Sequence, residues 1–438
     1  MKINNTLFKN FAFLISCSLL FIIGLNAIFA RSFVGVTIYG FRIGELEVAG
    51  ALILSFIFLI SFKNFQFSIG KSFDFYFRLI IISYFFVVFA TNTDLTNEYA
   101  IKSSSYIWTV SFIFLGRFIY IQMNESMQYL SFLFFITPLA IYIMASGNYP
   151  NFIMQFFIDY SDKFQFLKAS DILIAIIASY FLIKKSKIGK SYEVFFLFFF
   201  CPLFLPVLMK LSRGSYLGII IFILFELYYQ KNVLLNEKKK TLVYALFSVL
   251  LFSFSTYRMT GIQISSETIS TQNIASNLEE ITKHKNTTKA FFSFYINEYG
   301  YLDSWDATTS WRLDIWQDVL TDMYKENNLL TGYGYKEILP QMLDPAAPGR
   351  LGRDGLNEHV HNYFVTIISR GGVFQLILFL LLHLQIIKVW KEKYKNFQII
   401  SFIAPLIFVS LLDISLDGVQ FPLIYFSTLG YLLSDLDK

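Results

Sequence analysis

The feature that most limits what this chain can fold into is a succession of apolar runs, each roughly 17–20 residues long, the length a helix needs to cross about 30 Å of hydrocarbon. In lipid a backbone must satisfy its own hydrogen bonds, so such runs read as helices. Strands of an outer-membrane barrel would instead alternate apolar and polar residues over about ten positions, and no segment here does. Charge is scarce: 15% of the 438 residues are charged against 55% hydrophobic and 19% aromatic, where a soluble domain carries about 25%. The chain reads as an all-α, polytopic integral membrane protein.

Apolar runs at 11–30, 46–62, 77–92, 105–122, 128–145, 169–184, 192–209, 215–230, 241–256, 373–390, 397–413 and 418–434 predict about twelve transmembrane helices. The first follows Lys2 and Lys9 and so resembles a signal peptide. Its apolar core exceeds the usual 7–15 residues, and Ile28 spoils the small-x-small pattern before Ala30, so it reads as an uncleaved helix. Cys17 and Cys201 both lie inside apolar runs, where they pack rather than build a disulfide or zinc framework.

Orientation follows from three lysine clusters, at Lys184, Lys185, Lys187 and Lys190, at Lys231 and Lys238 to Lys240, and at Lys388, Lys391, Lys393 and Lys395. With the N-terminus cytoplasmic, the order of spans puts every cluster on the cytoplasmic side, as the positive-inside rule requires, and the C-terminus there too. The long segment 257–372 then falls outside, and its stretch 257–360 carries 14 acidic against 9 basic residues. The predicted organisation is a bundle over 1–256, an outer loop over 257–372 and C-terminal helices over 373–438. The net charge of +5 is a product of this topology and gives no reason to expect nucleic acid.

Within the loop, Leu313, Trp316, Val319, Leu320 and Met323 recur at helical spacing over Trp311 to Tyr324, an amphipathic helix. Turn signals follow at Thr331-Gly332-Tyr333-Gly334 and at 344–349, and the segments between them are expected to lie against the membrane surface. Gly332-x-Gly334 lacks the third glycine and the preceding strand of a dinucleotide fingerprint and reads as a turn. A second outer loop, 146–168, interleaves aromatic and charged residues as an interfacial segment does.

Ionisable groups collect on the outer side. Arg213, in Ser212-Arg213-Gly214, sits at the outer end of a span; as an anchor it would run against the positive-inside bias, which leaves a functional role open. Arg312 opens the loop helix with Asp314 and Asp318 near in sequence, so a surface ion pair is the plain alternative to function. His361, in His359-Val360-His361-Asn362, titrates in the range that suits proton transfer, whereas His359 reads as a hydrogen-bonded side chain. A metal site would need a third ligand that the His-x-His pair lacks. Arg350, Arg353 and Arg370 are further basic candidates on the same side.

These residues resemble the O-antigen ligase and O-antigen polymerase superfamily of bacterial membrane glycosyltransferases. The resemblance rests on four features in order: Ser212-Arg213-Gly214; Trp311-Arg312 with Trp316 and then Leu329-Leu330-Thr331-Gly332-Tyr333-Gly334; His361-Asn362 leading to Arg370-Gly371-Gly372; and Asp413 to Gly418 with Phe421-Pro422 before an aromatic helix ending Leu429-Gly430. It covers roughly residues 200–435.

It implies a GT-C-like membrane enzyme of the bacterial inner membrane. The enzyme would move a glycan from undecaprenyl diphosphate to an acceptor hydroxyl with inversion, using no cofactor, nucleotide or metal. Arg213 and Arg312 would hold the diphosphate, since a guanidinium offers paired donors to phosphate oxygens and keeps its charge. His361 would take the proton of the attacking hydroxyl, with Asn362, Arg350, Arg353 and Arg370 as secondary candidates. The acceptor would be lipid A-core for a ligase or the growing glycan for a polymerase. A flippase or transporter of the lipid-linked glycan is the reading from another class, but few ionisable residues sit mid-membrane, Arg117 and Glu226 being exceptions nearer the inner side, whereas a transport path needs polar groups along it.

Overall fold

The computed structural model describes residues 5–61, 65, 67–123, 125–186, 188–260, 293–336, 338–344, 350–351, 358–413 and 415–434. Its principal helices are α1 (Asn5–Phe29), α2 (Ile43–Ile60), α3 (Lys71–Thr91), α4 (Ser105–Met123), α5 (Met127–Ala145), α6 (Asn151–Tyr160), α7 (Ala169–Lys185), α8 (Lys190–Leu211), α9 (Arg213–Asn236), α10 (Lys238–Thr260), α11 (Ala307–Lys325), α12 (Tyr363–Tyr394), α13 (Ile400–Ser410) and α14 (Gln420–Leu433). Each of the expected spans has a helix at its place. Strand structure among the described residues is confined to two small hairpins, Thr37–Ile38 with Phe41–Arg42 and Phe294–Ile296 with Leu302–Ser304. The protein is an all-α polytopic membrane protein.

Among the described residues, nine helices are long and apolar enough to cross a membrane. The shorter α7, α13 and α14 are of another kind. Thirteen of the fourteen residues of α14 and fourteen of the seventeen of α7 are buried, so these helices lie inside the bundle with longer neighbours between them and lipid. A helix shielded by protein is released from the full span length. α14 packs on α4 at a close approach that glycine permits: a β-carbon on Gly116 would run into the Ser427 carbonyl, and one on Gly430 into the Ile113 carbonyl. Small residues at both sides let two backbones meet, as is common between helices in lipid.

The helix expected from residue 373 begins at Tyr363, three turns earlier, and its course is broken at Gly372, where φ is +78°. The break explains the Thr331-Gly332-Tyr333-Gly334 segment. The Tyr333 amide donates to the Ser369 carbonyl (2.7 Å), Gly334 to Arg370 (3.1 Å), and the Val373 amide to Leu329 (2.8 Å). The turn thus takes up the backbone groups that the broken helix leaves open. Gly332 and Gly334, at φ +67° and +80°, have no room for a β-carbon: the first lies against Ser369 and Arg370, the second against Thr91 and Thr93.

The loop helix is longer than the apolar spacing marks, starting at Ala307 because Asp306 caps it through the Thr309 amide (3.1 Å). Its apolar face joins a small core of Ile315, Val319, Met323, Tyr333, Leu339, Met342, Val360 and Val365, separate from the large core of the bundle. The outer segment 146–168 contains α6, most of whose residues are exposed.

Candidate active site

Three parts of the chain that are distant in sequence meet at one end of the bundle. Arg213 is the first residue of α9, placed there by the Ser212 cap, and its guanidinium lies 3.4 Å from Asp306, the cap of α11. One turn into α11, Arg312 donates to the carbonyl of Leu412 at 2.5 Å, in the link between α13 and α14. Beside Arg312, the ring of Trp311 stands 5.3 Å from that of His361. A cap, a helix face and a link thus bring Arg213, Arg312 and His361 into one neighbourhood.

The electrostatics tie them together. Burial lowers the Arg312 guanidinium from its ordinary value, against the charges of Asp413 and Asp306 that raise it. His361 is pushed down to about 4, first by burial and then by the Arg312 charge, with Asp413 opposing. The imidazole is therefore neutral at neutral pH, which is the state a base requires. Among the described residues its buried Nδ1 has no hydrogen-bond partner, and neither has the Nε of Arg312. Buried polar atoms normally have partners, so such atoms gathered at one place mark where a ligand would bond.

His361 itself is strained. Its φ is +54°, in the left-handed region that a β-carbon makes unfavourable by about 1–2 kcal/mol. The surroundings hold it there. The Trp316 indole N–H donates to the Val360 carbonyl at 2.5 Å, the Val360 side chain is locked in the loop core, and His359 Nδ1 sits 3.1 Å from Asp417. On the other side, the Asn362 carboxamide accepts from the Phe364 and Val365 amides and caps α12. Asn362 therefore serves the helix end, and the two imidazoles of His-x-His face different partners.

The remaining arginines have other employment. Asp314 and Asp318, near Arg312 in sequence, pair not with it but with Arg350, at 2.8 Å for Asp314, while Arg350 also donates to the Gln341 carbonyl at 2.8 Å. Burial lowers the Arg350 guanidinium and the two carboxylates more than offset it, so that its net shift is upward. Arg350 thus fastens the loop to α11. Arg370 is buried in α12 and donates to the Lys336 carbonyl, just past the inserted turn. Arg353 lies outside the described residues.

Sequence reasoning gave no role to Asp413, Asp306, Lys168 or Asp171. Asp413 acts on both Arg312 and His361 and accepts from the Ser170 hydroxyl at 3.0 Å. Asp171, at the start of α7, is buried with Oδ2 unpartnered, and Lys168 lies near enough to act on both Asp171 and His361. The available signal was the acid in the short link between the last two helices.

Residues 196–380 match the family model described as O-antigen ligase. This segment, less than half of the chain, is similar to the O-antigen ligase family. Members of that family are membrane glycosyltransferase-like enzymes. The matched segment of the O-antigen ligase family runs from α8 into α12 and contains Arg213, Arg312 and His361, whereas Lys168, Asp171, Asp413 and Asp417 lie outside it. No curated protein matches the chain.

Proposed function

We propose that the protein is a glycosyltransferase of O-antigen ligase type that moves a glycan from undecaprenyl diphosphate to an acceptor hydroxyl, lipid A-core being the leading acceptor. The observation that carries this reading is the meeting of two arginines with a neutral, buried imidazole whose Nδ1 is unpartnered. In the reaction, the acceptor oxygen attacks the anomeric carbon, the bond from that carbon to the diphosphate oxygen breaks, and the hydroxyl proton passes to His361. Arg213 and Arg312 stabilise the negative charge that collects on the departing diphosphate. Attack opposite the leaving group inverts the anomeric centre. Asp413 orients Arg312 and favours the imidazolium as it forms.

The membrane topology supports the reading. The lysine clusters at the ends of α7, α9 and α12 lie at the end of the bundle opposite Arg213, as the Lys185 contact with Tyr394 (3.0 Å) illustrates. Basic ends mark the cytoplasmic side, so in a bacterial inner membrane the site faces the periplasm, where a translocated lipid-linked glycan is available.

The test combines purified protein, lipid-linked glycan and candidate acceptors, with Arg213→Ala and His361→Ala as variants. Transfer by wild type and its loss in both variants is the expected result; transfer by both at the wild-type rate overturns the assignment. Gene deletion separates ligase from polymerase. Loss of a ligase leaves long chains on the lipid carrier, and loss of a polymerase leaves cores capped by a single repeat.

A further inference from the structure

At the end of the bundle opposite Arg213, the turn between α9 and α10 meets the first turn of α8 and encloses a groove of about 250 Å³. α9 has 24 residues, so groove and site are separated by about 36 Å, roughly a membrane's thickness. The groove is no part of the active site.

Its walls are of two kinds. Lys190, Ser191 and Lys240 supply ammonium and hydroxyl donors, while Val194, Leu234 and the Tyr244 ring supply apolar surface. From Lys231 to Lys240 the chain carries Lys231, Lys238, Lys239 and Lys240 against one acid, Glu237, whose carboxylate is 3.1 Å from Lys240. The other nearby carboxylate, Glu193, is held by Lys184 (3.5 Å) and Gln230 (3.3 Å). The groove lining keeps a small positive excess, Lys190 and Lys240 against the Glu237 carboxylate, with Glu193 also acting on Lys190. The cap of α8 is Gly189, which has no side chain to receive the first-turn amides, and the first turn of α10 contains no acid. Beside the groove, α10 presents Leu242, Val243 and Leu246, each more than half exposed, together with Leu235 at the end of α9. Leu242, Val243 and Leu246 belong to a helix long and apolar enough to cross a membrane, so their exposed side chains form a flank suited to lipid.

A basic, donor-rich recess continuous with a lipid-facing apolar flank matches an amphiphile with an anionic head. The cavity is smaller than the roughly 300–1,000 Å³ of drug-sized sites, a size for a headgroup and not for a glycan. We propose that this groove binds an anionic phospholipid, with Lys190 and Lys240 on its phosphate and an acyl chain along the exposed flank of α10. The lipid would fasten α8, α9 and α10 together at the face where anionic headgroups attract basic segments.

The test is native mass spectrometry of the full-length protein released from nanodiscs that contain equal amounts of phosphatidylglycerol and phosphatidylcholine. Wild type is expected to retain phosphatidylglycerol in preference, K190R/K240R to keep the preference, and K190Q/K240Q to lose it severalfold. K388Q/K391Q removes the same charge from another exposed cluster and is expected to behave as wild type. Undiminished retention by K190Q/K240Q overturns the proposal, and equal loss in K388Q/K391Q reduces it to diffuse attraction. Displacement of the lipid by millimolar inorganic phosphate would assign the groove to a free anion instead. None of these readouts depends on glycan transfer.

Discussion

Glu226 and His361 are both ionisable residues withdrawn from water, at opposite ends of the bundle, and their surroundings differ in one respect that separates a structural group from a reactive one. The Glu226 carboxylate is fully buried and accepts from the Tyr180 hydroxyl (2.6 Å), the Lys184 ammonium (3.2 Å), the Gln398 amide (3.0 Å) and the Ser401 hydroxyl. Its bonding capacity is met by α7 and by the segment that leads into α13, with Lys184 as counter-charge. At the other end, His361 Nδ1, Arg312 Nε and Asp171 Oδ2 are shielded from water and lack partners among the described residues. Leaving a buried polar atom unbonded costs roughly 1–3 kcal/mol. A carboxylate with its bonds met stabilises the bundle; a group left with unmet bonds tolerates that cost where a ligand removes it.

The contrast is sharpest in rate. His361→Ala is expected to lower transfer by about 10²–10⁴-fold, the range of general-base catalysis, while leaving the thermal melting of the detergent-solubilised protein near that of wild type. A large loss of melting temperature in this variant would place His361 with the structural groups. Glu226→Ala is expected to do the reverse. Removing one partner of a buried ion pair costs about 3–5 kcal/mol, so denaturant or thermal unfolding should shift strongly while transfer per folded molecule is retained. Preserved stability here would break the comparison from the other side.

A smaller effect is expected in pH dependence. Because burial and Arg312 hold the His361 pKa at about 4, kcat/KM should stay on its plateau through the ordinary histidine range and fall only as pH drops toward 4. Arg312→Gln removes the largest lowering cause after burial, while those from His359 and Lys168 remain, so its inflection should move up part of the way toward the usual value of about 6.5. The sign for stability follows from the same shift. An unfolded chain takes up this proton near pH 6.5 and the folded one only near 4, so the contribution of His361 to stability declines as pH falls between those values. An inflection that stays put in Arg312→Gln would separate the two residues. The smallest effect belongs to Glu358→Gln. The Lys102 partner of Glu358 is 52% exposed at 2.7 Å, and such a pair contributes about 0.2–1 kcal/mol, close to the resolution of an unfolding measurement.

Much of the fold was legible because apolar run length answers directly to the thickness of hydrocarbon. A helix stands at each predicted apolar run, nine of the described ones being long and apolar enough to span, while the loop helix and the Gly332-x-Gly334 turn were legible from helical spacing and turn residues. What escaped was whatever depends on partners distant in the chain. Asp314 and Asp318 stood beside Arg312 at helical spacing and suggested a pair with it; in the folded protein they hold Arg350, and Arg312 reaches the link after α13. The start of α12 at Tyr363 was hidden because its first turns are stabilised by Asn362 and by packing against the inserted turn, not by hydropathy. Asp413 carried a motif but no role, since nothing in its neighbours along the chain says that it faces His361.

The sequence by itself determined the all-helical membrane architecture, the place of the loop helix and its turn, and the kinds of residue available for chemistry. Each of these follows from short-range properties: hydrophobic length, charge and turn preference. Only the tertiary structure decided that Arg350 is committed to carboxylates while Arg312 reaches the Leu412 carbonyl, that α7 and α14 are internal, and that His361 is held neutral in a strained backbone. Those outcomes depend on burial and on the distances between groups far apart in the chain, and both quantities exist only once the helices have packed.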